Sequence, residues 1–123
     1  MNVLIAEDNK PVSLLLARIV EEAGFGAIIA ADGEAALRLF SQRQVNMVVL
    51  DVQLPGLDGF RVAQDIRNQA GPALPIILIS GNSGEAWQQQ AEDVGANLFL
   101  SKPIRPSQLT ELLRDYLGGV APS

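Results

Sequence analysis

The side chains able to do polar chemistry in this chain are carboxylates, hydroxyls and a few cations, and they gather behind short apolar runs. Glu7-Asp8 follows Val3–Ala6, and Asp51 follows Met47–Leu50. Ser80-Gly81 follows Ile76–Ile79, and Ser101-Lys102-Pro103 follows Leu98–Leu100. Histidine and cysteine are absent. That removes the commonest general base, the usual transition-metal ligands, disulfides and any phosphate carried on an imidazole. Carboxylates and hydroxyls suit hard ions such as Mg²⁺.

Those runs, with Ala27–Ala30, read as five strands, most of them without polar alternation, as strands covered on both faces should be. Helical patterns lie between them. In Val12–Ala23, residues Val12, Leu15, Leu16, Ile19, Val20 and Ala23 share one face, and Gly24 closes the helix. A second helix is expected from Asp32 as N-cap through Ala36, Leu37 and Phe40. A third is expected from Asp58-Gly59 with Phe60, Ala63 and Ile66. A fourth opens at Asn82 or Ser83, where Asn82 and Glu85 have capping-box spacing, and Trp87 packs with Ala91 and Val94. A fifth has Pro106 in its first turn and Leu109, Leu112, Leu113 and Tyr116 on its apolar face. Its N-cap would be Arg105, a poor one. Strict βα alternation calls for an α/β fold, a five-stranded parallel doubly wound sheet of order 2-1-3-4-5 with five helices.

In such sheets ligands bind beyond the carboxyl ends of the strands, so the polar groups meet at one edge. Three carboxylates in one crevice repel each other and resist ionisation. A divalent cation relieves that conflict, and Mg²⁺ takes one or two carboxylates while leaving room for phosphate oxygens. Lys102 adds a point charge of the kind that pairs with phosphate. Ser80 offers a hydroxyl donor, and Gly81 leaves space for a tetrahedral anion. The set fits a carboxylate that becomes phosphorylated.

The chain resembles the receiver domain of two-component response regulators over residues 2 to about 117. The resemblance is carried by Val3-Leu4-Ile5-Ala6-Glu7-Asp8-Asn9, by Leu50-Asp51-Val52-Gln53-Leu54-Pro55-Gly56-Leu57-Asp58-Gly59, by Ile79-Ser80-Gly81 and by Leu100-Ser101-Lys102-Pro103. It implies that Asp51 is the phosphoacceptor and a direct Mg²⁺ ligand. It implies direct metal binding by Asp8, water-mediated binding by Glu7 and a backbone carbonyl from Gln53. Ser80 and Lys102 would hold the phosphoryl oxygens, Lys102–Pro103 would be cis, and Phe99 would be the switch aromatic. From the residues alone Phe99 also reads as a plain core aromatic. The implied donor is a phosphohistidine on a histidine kinase or histidine phosphotransfer protein, and the implied listener is a downstream effector protein or domain. Such a domain is a phosphoacceptor, not an enzyme, beyond self-catalysed transfer and slow autodephosphorylation. Glu7 stands where the family usually has Asp, and Gly81 where Ala is frequent.

Two other classes fit less well. A flavin-binding domain of the same sheet order needs a Ser/Thr/Gly-rich phosphate loop where Glu7 and Asp8 stand. An aspartyl phosphatase needs two aspartates one residue apart after the first strand. A degenerate receiver serving only as an interaction module is opposed by the complete polar set. The formal net charge of −5 lacks the basic footprint of a nucleic-acid binder. The apolar runs are far shorter than a bilayer needs, and no basic n-region or h-region is read after Met1. The expected address is cytoplasmic, with no membrane contact. Of the 123 residues, 1–118 are expected to form the receiver domain and 119–123 a flexible tail or the start of a linker.

Overall fold

The computed structural model describes residues 1–82 and 84–118, so the expected tail, and Ser83 as a helix start, lie outside the described residues. Strands Asn2–Ala6 (β1), Gly26–Ala30 (β2), Met47–Asp51 (β3), Ile76–Ser80 (β4) and Leu98–Ser101 (β5) alternate with five helices. These are Lys10–Glu22 (α1), Gly33–Gln42 (α2), Gly59–Ala70 (α3), Glu85–Asp93 (α4) and Pro106–Leu117 (α5). All strand pairs are parallel, in the order β2-β1-β3-β4-β5. This is the doubly wound fold that the alternation predicts.

Side chains alternate across a strand, and here both sides are buried. Leu4, Val48, Leu50, Ile76 and Leu78 pack with Ala36, Phe60, Val62, Ala63, Ile66 and Ala91 on one face. Val3, Ile5, Met47, Val49, Ile77 and Ile79 pack with Leu16, Val20, Leu109 and Leu113 on the other. Thus β1, β3 and β4 need unbroken aliphatic sequence, while β2 and β5, at the edges, are only partly covered.

Helix starts are set by individual side chains. Asn9 accepts the Val12 N–H at 3.1 Å, so α1 begins two residues before the apolar periodicity does, with Pro11 in its first turn where no N–H is needed. Asp32 and Asp58 cap α2 and α3 by accepting from Ala35 (2.7 Å) and Phe60 (3.0 Å). The α4 expectation needs correction. Asn82 does not cap it; the helix begins at Glu85 behind Gly84, with no side-chain cap bond. Asn82 instead uses its N–H on the Ser80 hydroxyl oxygen at 2.9 Å. Arg105 cannot accept a cap bond through its side chain, but Gln108 Oε1 accepts the Arg105 N–H at 3.4 Å. That is the reverse half of a capping box.

Candidate functional site

Strand parity brings the charged groups together. Glu7, Asp51 and Lys102 each continue the register of residues that face α1 and α5, one step beyond the apolar core. Glu7 is 1% and Asp51 2% exposed. Lys102 Nζ lies 2.5 Å from Asp51 Oδ2 and 2.9 Å from Glu7 Oε1. The ammonium donates to Asp51 and is ion-paired with Glu7 Oε1, which is buried and accepts from no other group. Glu7 Oε2 accepts the Asn9 N–H at 3.1 Å, and Asp51 Oδ1 accepts the Gln53 N–H at 2.8 Å. The Lys102–Pro103 peptide is cis.

Burial pushes the Glu7 carboxyl up from its ordinary value, and the nearby charge of Asp51 adds to the rise. Lys102 and the Asn9 N–H pull it back only in part. For Lys102 burial works against the charge, but bonds to Asp51 and Glu7 outweigh it and its pKa is raised. One cation therefore sits between two buried carboxylates.

Asp8, exposed, completes an acidic cluster: one carboxylate oxygen each from Glu7, Asp8 and Asp51 lie within 4.8 Å of one another. The all-oxygen donor set suits Mg²⁺. Glu7 Oε1, buried and served only by Lys102, keeps a lone pair that can accept from a metal-bound water. These residues fit a hydrated divalent cation.

Ser80, fully buried, ends β4 on the opposite sheet face from Asp51, together with Leu78 and, on β5, Phe99. Its oxygen accepts from Asn82. Phe99 is half-buried and lines a cleft of about 290 Å³ with Gln88, Ala91 and Glu92 of α4. Gln53, read only for its backbone carbonyl, also uses its side chain: Oε1 accepts the Gly81 N–H at 3.3 Å, bridging the ends of β3 and β4. That bridge and the Asn9–Glu7 bond were not read from sequence. Asn9 did carry a signal, standing as an N-cap residue before Lys10-Pro11. Gly59 lets the first turn of α3 lie against the site strand, because a Cβ there would collide with Val52 Cα and the Asp51 carbonyl.

Residues 3–114 match the family model of the response regulator receiver domain. The chain belongs to that family, the receiver domains of two-component response regulators. It is 34% identical over 117 residues to transcriptional regulatory protein TctD of Salmonella typhimurium, covering 95% of this chain and 52% of that protein. It is 31% identical over 116 residues to aerobic respiration control protein ArcA of Escherichia coli, covering 94% and 48%. The chain thus spans about half the length of the curated relatives it matches. Among solved structures, the N-terminal domain of a Wolinella succinogenes protein superposes with TM-score 0.87 at 30% identity, covering 95% of this chain and 94% of that one. A CheY-like receiver domain protein from Methanospirillum hungatei reaches TM-score 0.89 at 22% identity, covering 94% and 92%, and speaks to the fold alone. Among the described residues no helix is long and apolar enough to cross a membrane.

Proposed function

We propose that residues 1–118 form a phosphorylation-driven signalling switch, with Asp51 as the acceptor of a phosphoryl group from a phosphohistidine on a histidine kinase or histidine phosphotransfer protein. The observation that carries this reading is the buried Asp51 carboxylate, fixed by the Gln53 N–H and paired with Lys102, at the edge where Glu7 and Asp8 converge. Mg²⁺ would be held directly by Asp8, Asp51 and the Gln53 carbonyl and through water by Glu7, and when bound it supplies the charge that neutralises phosphoryl oxygens.

A carboxylate oxygen of Asp51 attacks phosphorus, the P–N bond breaks, and its electron pair returns to the departing imidazole nitrogen. Lys102 gives up its bond to Asp51 and moves to a phosphoryl oxygen, so the pre-placed ammonium stays with the growing negative charge. Ser80 exchanges the Asn82 N–H for a bond that its own hydroxyl donates to the phosphoryl group. The product carries about −2 charge at Asp51. Departure of Ser80 from its buried position opens space on its own sheet face, where Phe99 is the nearby large side chain able to turn inward. The face formed by α4, β5 and α5 then changes shape for an effector protein or domain. The relatives named as transcriptional regulators are longer than this chain, which supports an effector covalently joined to such receivers. A cytoplasmic address, without membrane contact or direct nucleic-acid binding by this domain, completes the reading.

Two measurements bear on it. At a Mg²⁺ concentration ten times Kd, linkage stabilises the fold by about 1.4 kcal/mol, a rise of about 5 °C in melting temperature. Asp8→Ala should abolish that rise and, without metal, melt above the parent, because one member of a repelling cluster is gone. Superimposable parent curves with and without millimolar Mg²⁺ would count against the cation site. Ser80→Ala should still accept phosphoryl groups but fail to turn Phe99. Crystal structures with the phosphoryl mimic beryllofluoride should show Ser80 and Phe99 moving together in the parent and neither coupling in the variant. An unchanged Phe99 rotamer in both parent states would remove the aromatic switch and leave the acceptor standing.

A further inference from the structure

Helix α4 is held very differently at its two ends. At its carboxyl end the connection to β5 is wrapped around Arg67 of α3. Arg67 Nε and Nη2 both donate to the Gly95 carbonyl, at 3.1 and 2.7 Å, and Nη2 also donates to Asn97 Oδ1 at 3.0 Å. Nη1 donates to the carbonyls of Gly71 (2.9 Å) and Leu74 (2.6 Å). Asn97 Oδ1 also accepts the Ile76 N–H at 2.8 Å, which ties the same point to the start of β4. Gly95 adopts φ +82°, and a Cβ there would press on Arg67 Nε and Cγ, so glycine is what lets the chain approach so closely. Every acceptor of the guanidinium is a neutral oxygen. Its planar fork is used for direction rather than charge pairing.

Among the described residues the amino end has none of this. Gly84 caps the helix without a side-chain bond, and Ala91 is the helix's buried residue. The aromatic contact near that end is the half-buried Trp87 against Phe60, with ring centroids 5.6 Å apart at 45°. A tilted ring pair of this kind can slide at small cost, whereas three directed hydrogen bonds from an arginine itself fixed by two more cannot.

We propose that Arg67 is the fulcrum of α4: the helix swings at its Gly84 end, over Phe60, while residues 94–97 stay fixed to α3 and β4. The swing as a response to phosphorylation rests on the acceptor reading of Asp51, but the pinned end does not. At 1.5 Å per residue α4 is roughly 13 Å long, so a tilt of about 10° moves the free end by about 2 Å. The free end is the one that joins the chain leaving Ser80, so a displacement at the site enters the lever at its mobile tip.

Amide hydrogen exchange on the unmodified domain tests the pin directly. The Gly95, Ala96 and Asn97 amides should exchange at least about tenfold more slowly than those of Trp87 and Gln88, which bond to the Gly84 carbonyl. Arg67→Lys, which keeps the charge and loses the fork, should collapse that ratio to about twofold or less. Equal protection at the two ends of the parent overturns the proposal, and this arm holds even if the variant fails to fold. With beryllofluoride and Mg²⁺, altered exchange at the Trp87 end alone supports the fulcrum, and equal change at both ends overturns it. A parent that ignores beryllofluoride but keeps the gradient retains the pin and loses the phosphoacceptor reading.

Discussion

Asp51→Asn is expected to lower incorporation of phosphate from acetyl phosphate and Mg²⁺ by at least about a thousandfold, the scale seen when a nucleophile is removed. The parent should gain one phosphoryl group, detected as an intact-mass increase that is lost at alkaline pH, as an acyl phosphate must be. The amide is nearly the same shape as the carboxylate, so the fold is retained while nucleophilicity is lost. The Gln53 N–H can still be met by the amide oxygen, but the amide nitrogen then faces the Lys102 ammonium, which needs an acceptor. Phosphate that survives alkali, or full labelling of Asp51→Asn, would remove Asp51 from its proposed role.

Much of this arrangement is legible in the sequence because parallel sheets leave strong local signatures. The aliphatic runs of β1, β3 and β4 are unbroken because both faces of those strands are buried, and the break in each run marks the strand end where polar groups emerge. That is why the sequence alone places Glu7, Asp51, Ser80 and Lys102 at one edge. What was not legible depends on contacts between distant segments. Asn82 and Glu85 have the spacing of a capping box, yet the Asn82 N–H goes back to Ser80 and α4 starts at Glu85. A local pattern lost to a competitor that only the strand end supplies. Gln53 to Gly81 and Arg67 to Gly95 each span 28 positions of chain, and neither side chain carries a local sign of its partner. In the sequence nothing sets Arg67 apart from other basic residues near a helix carboxyl end, where they are ordinary.

Lys102→Met has the second large expected effect, and it separates charge from packing. In the parent, one ammonium serves the buried carboxylates of Glu7 and Asp51. Methionine keeps much of the side-chain volume and apolar stem but leaves both carboxylates without their cation. Removing one partner of a fully buried pair costs about 3–5 kcal/mol. The Lys102 side chain is 30% exposed, so solvent screening reduces the expected loss to about 2 kcal/mol at pH 7 without divalent ions. The pH dependence fixes the cause. Burial already raises the Glu7 carboxyl above its ordinary 4.5 in the folded state, and loss of Lys102 raises it further because a partner favouring the charge is gone. A folded group with a raised carboxyl pKa binds protons that the unfolded chain has released, so its ionisation lowers stability as pH climbs above 4.5. The deficit of the variant should therefore be largest near pH 7 and shrink as pH falls and Glu7 takes up its proton. Mg²⁺ should also stabilise the variant more than the parent, since the cation then replaces the missing positive charge. Urea titrations of both proteins at pH 5 and pH 7, with and without Mg²⁺, give the four differences needed. A deficit of the same size at both pH values, untouched by Mg²⁺, would show that Lys102 acts by packing and that the carboxylates do not depend on its charge.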